Sequence, residues 1–250
     1  MIKSEIKNNT GIILLARPEK HNALNPELVN SLKNKLNEFE LIEEVHSIII
    51  SGEGDSFCAG ADLEYLKLIS GNSAIDNYND SKSLAEMFLM IYNFKKPTIA
   101  AVNGPAIAGG SGLASVCDFI IAHPEKSKFG YSEVKIGFLP AIVSIFLIKK
   151  IGEGLSKQLM LEGELISGKR AYEIGLVNYL SENVIAESIN LANRLNKNSK
   201  DSLIFTKQMI NNISNLKAEE AVAHCIYLNT ISRSTNDFKT GIEKFLNKDK

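Results

Sequence analysis

The fold is decided by one stretch of the chain, residues 97–113, which reads PTIAAVNGPAIAGGSGL. Its first part, residues 98–102, is uncharged and rich in β-branched residues, a pattern that favours a strand buried on both faces. Asn103-Gly104-Pro105 favours a turn. Gly109 and Gly110 then lead into a helix, whose first amides face outward. The stretch therefore predicts a buried strand, a turn and a helix start, the building unit of an α/β protein.

The rest of the chain repeats this alternation of strands and helices. Short apolar runs predict further strands at residues 12–15, 47–51, 119–122 and 176–179. Asn25 and Pro26 have the side chains of a helix cap and a first helical position. The segment 70–83 is rich in Asn, Ser and Asp and predicts a mobile loop. From about residue 154 onward the periodicity of apolar residues predicts mostly helix.

Composition indicates a globular chain and excludes two kinds of partner. Of the 250 residues, 44% are apolar and 23% are charged, and the net charge is −1. This balance leaves no basic field for nucleic acid or for an anionic membrane surface. The uncharged stretch 98–117 contains Asn103, Pro105 and four glycines. A lipid-exposed helix needs an unbroken apolar run, so we expect no membrane span.

Cysteine and histidine usage gives further expectations. The three cysteines are too few and too scattered for a disulfide framework. The N-terminus has no apolar signal-peptide core, so we expect a cytoplasmic protein in a reducing compartment. The four histidines do not have the spacing of metal ligands, and we expect no metal site.

A second segment, residues 56–63, combines small residues with a helix start. It reads SFCAGADL and follows the strand expected at residues 47–51. Small side chains allow a ligand to approach the backbone closely, although a tight strand-to-helix connection needs them too. Together with the amides near Gly109, this segment could hold one oxyanion between two amide clusters. The Walker lysine and the full dinucleotide fingerprint are both absent from the sequence.

A third segment places a carboxylate beside an apolar run. Glu133 lies between Gly130 and Gly137, and the uncharged residues 138–148 follow. A carboxylate against an apolar wall has a raised pKa, which suits a general acid or base. The alternative for a single glutamate is a surface ion pair, here with Lys135.

Taken together, these segments resemble the crotonase (enoyl-CoA hydratase/isomerase) superfamily over essentially the whole chain. The matching motifs, in chain order, are Pro18 with residues 21–25, residues 57–63, residues 100–104, Gly109-Gly110, Cys117-Asp118, Glu133 with Gly137 and Pro140, Ile151-Gly152 and residues 171–177. Each motif is weak alone, and their order and spacing make the combination specific.

The resemblance implies an α/β fold in which ββα units stack into a ClpP-like spiral. Residues 1–195 would form this core with the acyl-coenzyme A site. Residues 196–250 would form a helical C-terminal region through which the chain trimerises. Because many members are dimers of trimers, we expect a homotrimer or a hexamer. Coenzyme A would be part of the substrate, and no separate cofactor is expected.

The resemblance also assigns roles to residues at matching motif positions. The amides of Ala61 and Gly109 would form an oxyanion hole for the thioester carbonyl. The positions expected to hold coenzyme A are Ala23, Leu24, Ala59, Gly60, Asp62, Leu63 and Gly110. Near the C-terminus, Phe245 and Lys248 match positions that contact the adenosine diphosphate end, often of a neighbouring subunit.

The catalytic carboxylates depart from the usual pattern. Typical hydratases of the family use two glutamates; the second is present here as Glu133, whereas the first position is Gly112. The favoured interpretation is hydration by Glu133 alone, as in bacterial 3-methylglutaconyl-CoA hydratase-like members with a similar stretch at residues 132–137. Three alternatives stay open: an enoyl-CoA isomerase with one glutamate, a polyketide β-branching dehydratase acting on a carrier-protein thioester, and a non-catalytic crotonase-like scaffold.

Overall fold

The computed structural model describes residues 1–247. Its strands, in chain order, are β1 (Ile2–Lys7), β2 (Thr10–Leu15), β3 (Ser47–Gly52), β4 (Thr98–Val102), β5 (Ala106–Ile107), β6 (Phe119–Ala122), β7 (Lys128–Gly130), β8 (Ile166–Ser167) and β9 (Tyr179–Leu180). β1 to β4, β6 and β9 form one sheet in the order β1-β2-β3-β4-β6-β9. Within it, β1 runs antiparallel to β2, and the other neighbours are parallel. A smaller sheet has the order β5-β7-β8.

Helices cover this sheet and continue along the chain to Leu246. They are α1 (Pro26–Leu41), α2 (Leu63–Ile69), α3 (Ala74–Tyr92), α4 (Gly109–Val116), α5 (Ala141–Glu162), α6 (Gly168–Glu173), α7 (Val184–Leu195), α8 (Lys200–Ile213), α9 (Ala218–Ser232) and α10 (Asn236–Leu246). Two short 3-10 helices are Pro18–Lys20 and Glu133–Ile136. Gly152 kinks α5, with φ 75°. Among the described helices, none has the length and hydropathy to cross a membrane.

The central strands are buried on both faces. In β3, Ile48 and Ile50 belong to the larger core cluster, which includes residues of α1, α3, α4 and α5. Ile49 points to the opposite face and packs with Val184 and Leu191 of α7. Successive side chains of a strand alternate between faces, so a strand covered on both sides must be apolar throughout. This explains why the uncharged runs in the sequence predicted strands correctly.

Most of the expected elements are confirmed. The strands at 98–102 and 119–122 have the predicted bounds. Asn25 caps α1, because its Oδ1 accepts a hydrogen bond from the Leu28 amide at 2.9 Å. The strand expected at 176–179 begins later, at Tyr179, as β9. Leu176 and Val177 are instead buried in the turn after α6, and their amides donate to the carbonyl of Ala171.

The predicted mobile loop at 70–83 is wrong. Ser73 caps α3, its Oγ accepting from the Asp76 amide at 3.3 Å, and the helix then runs to Tyr92. The first half of α3 is polar because it is largely exposed, whereas Met87, Phe88 and Ile91 anchor the second half in the core. A polar exposed half-helix has the composition of a loop, and burial of its other half decides the structure.

At the C-terminal end, α8 packs against α9 and α10. No residue of α8, α9 or α10 is fully buried in this chain. The division into a core of residues 1–195 and a C-terminal region of residues 196–250 stays a prediction.

Candidate active site

Three loops meet at one edge of the main sheet. β2, β3 and β4 are parallel, so their carboxyl ends lie side by side. Residues 16–25, 53–62 and 103–108 leave these ends in turn. In α/β sheets, the crevice outside the carboxyl ends of the strands is the usual ligand site.

The second and third loops are joined by backbone hydrogen bonds. The amides of Phe57 and Cys58 donate to the carbonyl of Pro105 at 3.0 and 3.1 Å. The Ile107 amide in turn donates to the carbonyl of Cys58 at 3.0 Å. A β-carbon added at Gly110 would lie 1.9 Å from that Cys58 oxygen, so the approach of the loops requires glycine at this position.

The amides of Ala61 and Gly109 are brought together at this junction. The residues before them, Gly60 and Ala108, both have positive φ, 85° and 50°. A β-carbon added at Gly60 would lie 3.3 Å from the Gly109 nitrogen, and one added at Gly109 would lie 3.9 Å from the Ala61 nitrogen. Within residues 1–247, neither amide donates a hydrogen bond to another group of the chain. Two adjacent amides are thus available to an external acceptor.

The first loop holds the second one in place. The Leu24 amide donates to the carbonyl of Gly60 at 2.7 Å, and the Asp62 amide donates to the carbonyl of Leu24 at 2.9 Å. Ala23 and Leu24 are themselves buried. The predicted coenzyme A positions of the first two loops therefore form one continuous backbone surface beside the Ala61 amide.

Asp62 and Leu63 differ in what their side chains do. The Asp62 carboxylate caps α2, accepting from the amides of Glu64 and Tyr65, and it also contacts Arg17. The Leu63 side chain is 70% exposed at the start of the same helix. Leu63 therefore presents apolar surface to solvent, whereas the carboxylate of Asp62 is occupied by groups of the chain itself.

Glu133 reaches the site through the small sheet. The carbonyl of Gly130, at the end of β7, accepts a hydrogen bond from the Ala108 amide at 2.7 Å. The Gly130 amide donates to Ser111 Oγ in the first turn of α4 at 3.1 Å. Three residues of chain span at most about 11 Å, which keeps Glu133 within about that distance of Gly130, the residue bonded to this helix start.

The carboxyl group of Glu133 is buried and incompletely paired. Glu133 is 7% exposed, and its Oε2 has no hydrogen-bond partner among the described residues. Burial raises the pKa of Glu133, and a bond from its own backbone amide opposes this effect. The alternative of a surface pair with Lys135 is wrong, because Lys135 Nζ contacts Glu164 at 2.7 Å. An unpaired buried carboxyl is typical of a group that exchanges protons with a ligand.

The position of the missing first glutamate is filled by another helix. A β-carbon added at Gly112 would lie 2.1 Å from Cγ1 and 2.8 Å from Cβ of Val143 in α5, and 3.4 Å from Cζ of Phe88. Val143 is 4% exposed and Phe88 is fully buried. A glutamate at position 112 would therefore require α5 to move. The described packing leaves no room for a side chain of that size at position 112.

The remaining candidate residues lie elsewhere or are inert. Phe245 is in α10, 75% exposed, and Lys248 lies outside the described residues. Burial raises the pKa of the Cys58 and Cys117 thiols to about 12, so neither is a nucleophile. Within residues 1–247, no group of three or more His, Cys, Asp or Glu could hold a metal ion.

Sequence reasoning missed two residues of this region, Arg17 and Val143. Arg17 directly precedes Pro18 of the first motif, and this neighbouring position is the feature of the sequence that could have indicated its place in the site. Its guanidinium contacts Asp62 at 2.9 Å, a pairing across 45 residues of sequence. The contact of Val143 with Gly112 has no local signal, because it depends on how α5 packs on α4.

Comparisons with known proteins agree with this fold and site. The family model for Enoyl-CoA hydratase/isomerase matches residues 5–250. The mitochondrial enoyl-CoA hydratase of Pongo abelii is 34% identical, over 98% of this chain and 83% of that protein. The 2,3-dehydroadipyl-CoA hydratase of Escherichia coli K12 is 30% identical, over 95% and 92%. The crystal structure of an enoyl-CoA hydratase from Polaromonas sp. JS666 superposes with a TM-score of 0.94, at 31% identity, covering 99% of this chain and 97% of that one.

The chain therefore belongs to the enoyl-CoA hydratase/isomerase family and is an enzyme of that family. Its α/β architecture is the crotonase fold that the sequence predicted.

The packing at Gly112 gives a first prediction. Gly112→Ala places a methyl group against Val143 and should lower the free energy of unfolding by about 1–3 kcal/mol, the usual cost of overpacking. In a Val143→Ala background, which removes the closest carbon, the same change should cost less. Urea denaturation of all four variants measures this coupling. Gly154→Ala in α5, where an added β-carbon meets nothing within 4 Å, is the control and should not destabilise. An equal cost in both backgrounds would contradict the contact.

The buried carboxyl gives a second prediction, on pH. The pKa of Glu133 is raised above its ordinary value of 4.5, so the folded state binds this proton more tightly than the unfolded chain. Its contribution to stability is fully present below about pH 4.5 and is lost as pH rises through the folded-state pKa. Glu133→Gln cannot titrate and escapes this loss. The free energy of unfolding of Glu133→Gln minus that of the wild type should increase from about pH 4.5 to the folded-state pKa of Glu133 and stay constant above it.

Denaturation curves at a series of pH values test this expectation. Glu162→Gln, at an exposed position of α5, serves as the matched control. If the Glu133→Gln and wild-type stability profiles run parallel throughout, the carboxyl of Glu133 does not have the buried environment described.

Proposed function

We propose that this protein is an enoyl-CoA hydratase that works with one carboxylate, Glu133. The observation that carries the proposal is the packing of Val143 and Phe88 into the space that a side chain at position 112 would need. With that space closed, Glu133 is the carboxyl group available to the reaction at this end of α4. Its unpaired Oε2 is suited to accept and return a proton.

In the proposed reaction, the thioester carbonyl accepts hydrogen bonds from the amides of Ala61 and Gly109. Glu133 takes a proton from water while the water oxygen bonds to C3 of the enoyl group. The electron pair of the double bond moves to the thioester, and the resulting enolate oxygen is stabilised by the two amides. Protonated Glu133 then delivers its proton to C2 and is again a carboxylate, so one water molecule has been added. One such amide is worth about 3 kcal/mol to the transition state.

The coenzyme A portion supplies the binding energy that positions the acyl group. We propose that it lies along the backbone surface of Ala23, Leu24 and Ala59 to Leu63, with Gly110 allowing the close approach of the loops beneath it. Phe245 and Lys248 are proposed to contact the adenosine diphosphate end.

The proposed substrate is 3-methylglutaconyl-CoA or a similar short branched enoyl-CoA. The resemblance of residues 132–137 supports it, as does the relative named as a hydratase of 2,3-dehydroadipyl-CoA, another enoyl thioester with a distal carboxylate. Residues 138–148 contain no charged residue that could pair with that substrate carboxylate. Lys135, two residues after Glu133, is held by Glu164 in an exposed pair, and such pairs are weak enough for a substrate carboxylate to displace.

We further propose that the chain assembles as a trimer or as a dimer of trimers, in the cytoplasm. α9 buries none of its residues in this chain, and its Val222, Ile226 and Tyr227 are each more than half exposed. Apolar surface of this extent on one helix is typical of a subunit interface.

The hydratase proposal predicts incorporation of oxygen from water. Crotonyl-CoA and 3-methylglutaconyl-CoA are incubated separately with the protein in heavy-oxygen water, and the thioesters are analysed by mass spectrometry. One heavy oxygen should enter the product. Glu133→Gln should lower the rate by roughly 10²–10⁴-fold, the usual contribution of a general acid–base group, whereas Glu162→Gln should leave it unchanged.

The outcomes separate the candidate activities. Equal rates for Glu133→Gln and wild type would remove Glu133 from the mechanism. Failure of the wild type to incorporate oxygen into either thioester, with deuterium exchanged from heavy water, would replace the hydratase with an isomerase that uses the same carboxylate.

A further inference from the structure

A buried ion pair links the first and second loops beside the proposed oxyanion hole. Arg17 Nη2 lies 2.9 Å from Asp62 Oδ2, and the side chains are 10% and 9% exposed. Ordinary stabilisation does not account for such a pair, since desolvation of two buried charges costs about as much as their attraction returns. The pair therefore calls for a role other than stability.

Both partners make further bonds that fix their geometry. Arg17 Nη1 donates to the carbonyl of Ala23 at 2.6 Å, and the Arg17 amide donates to Asn22 Oδ1 at 2.9 Å. The other oxygen of Asp62, Oδ1, accepts from the amide of Glu64 at 3.0 Å. The guanidinium thus holds the first loop through Ala23 and the second loop through Asp62 at the same time. A lysine could not reproduce this, because its single ammonium lacks the planar fork.

The residue clamped between these bonds is Ala61. Its neighbours Gly60 and Asp62 are both bonded through their backbones to Leu24, the residue after the Ala23 carbonyl that Arg17 holds. The orientation of the Ala61 peptide is therefore set by how firmly Leu24 and Asp62 are held. A displacement of Asp62 would turn the Ala61 amide away from the Gly109 amide.

We propose that Arg17 and Asp62 are positioning residues that aim the Ala61 amide at the thioester oxygen. The inference rests on the proposed function, since it assumes that this amide stabilises an enolate. It also gives Asp62 a different task from the coenzyme A contact expected from its motif position, because both of its carboxylate oxygens are engaged within the chain.

Positioning of the Ala61 amide and binding of coenzyme A have different effects on the kinetic constants. An interaction that strengthens only as charge develops affects kcat, whereas uniform binding of the substrate affects KM. Loss of the Ala61 amide alone would lower kcat by roughly 10²–10³-fold. A mispositioned amide should cause a loss of up to that size, while the affinity for coenzyme A itself, which has no thioester carbonyl, should fall by a much smaller factor.

The experiment compares Arg17→Met, Arg17→Lys and the double variant Arg17→Met/Asp62→Asn with the wild type, using crotonyl-CoA for turnover and coenzyme A for binding calorimetry. Arg17→Met leaves a buried charge unpaired and is expected to be unstable. The double variant removes both charges and keeps a helix cap at position 62, since Asn caps as well as Asp. Lys33→Met, which breaks a partly exposed pair with Glu86 between α1 and α3, is the control.

The expected result is that the double variant regains thermal stability over Arg17→Met while its kcat stays low and its affinity for coenzyme A falls by a much smaller factor than its kcat. Arg17→Lys should also have a reduced kcat. Recovery of kcat together with stability would show a merely structural pair and overturn the proposal. A raised KM at unchanged kcat, or a loss of coenzyme A affinity as large as the loss of kcat, would overturn it in favour of a binding role.

Failure of the proposed function gives a different result from failure of the positioning role. If the wild type and Lys33→Met turn over no enoyl-CoA, both proposals fall together. If the wild type is active and the double variant is equally active, the positioning role alone is overturned.

Discussion

Two backbone segments approach each other at the carboxyl edge of the sheet more closely than side chains would allow. Residues 57–61 and 105–110 share three hydrogen bonds, and β-carbons at Gly60 and Gly110 would overlap the carbonyls of Ile107 and Cys58. Everything else at the site depends on this contact. It sets the separation of the Ala61 and Gly109 amides. The hydrogen bond from the Ala108 amide to the Gly130 carbonyl also fixes the start of the segment that carries Glu133.

The backbone at this contact is strained, and the nearby Glu133 has an unpaired polar atom. Ala108 has φ 50° and ψ −118°, a conformation that costs a residue with a β-carbon free energy. Glu133 has a buried oxygen without a partner in residues 1–247. The large apolar core on both faces of the sheet offsets these costs. In the proposed reaction this site would be pre-organised: the Ala61 and Gly109 amides have no partner within residues 1–247, so little reorganisation is needed when charge develops.

The sequence predicts the parts of this arrangement that local chemistry determines. Uncharged runs predicted the central strands, because burial on both faces demands apolar residues. Small residues at 59–61 indicated close backbone approach. The departure from two carboxylates at Gly112 came from the family resemblance. The roles of Ala61, Gly109 and Glu133 came from the family resemblance and remain predictions.

The remaining features depend on packing between distant segments. Nothing near Gly112 in sequence indicates that Val143, 31 residues later, occupies the adjacent space. The Arg17–Asp62 pair likewise spans 45 residues. The polar first half of α3 resembled a loop, because the burial that stabilises this helix lies at its other end. In each case the tertiary contact, rather than local propensity, determines the structure.

The measurement that tests the central claim most directly is the ¹³C NMR shift of the thioester carbonyl of [1-¹³C]crotonyl-CoA bound to the Glu133→Gln protein. If the Ala61 and Gly109 amides both donate to that oxygen, the carbonyl is polarised and its resonance moves downfield of the free thioester. A bound thioester with the shift of the free one would contradict the account, because the two amides would then not be engaged with the reacting group.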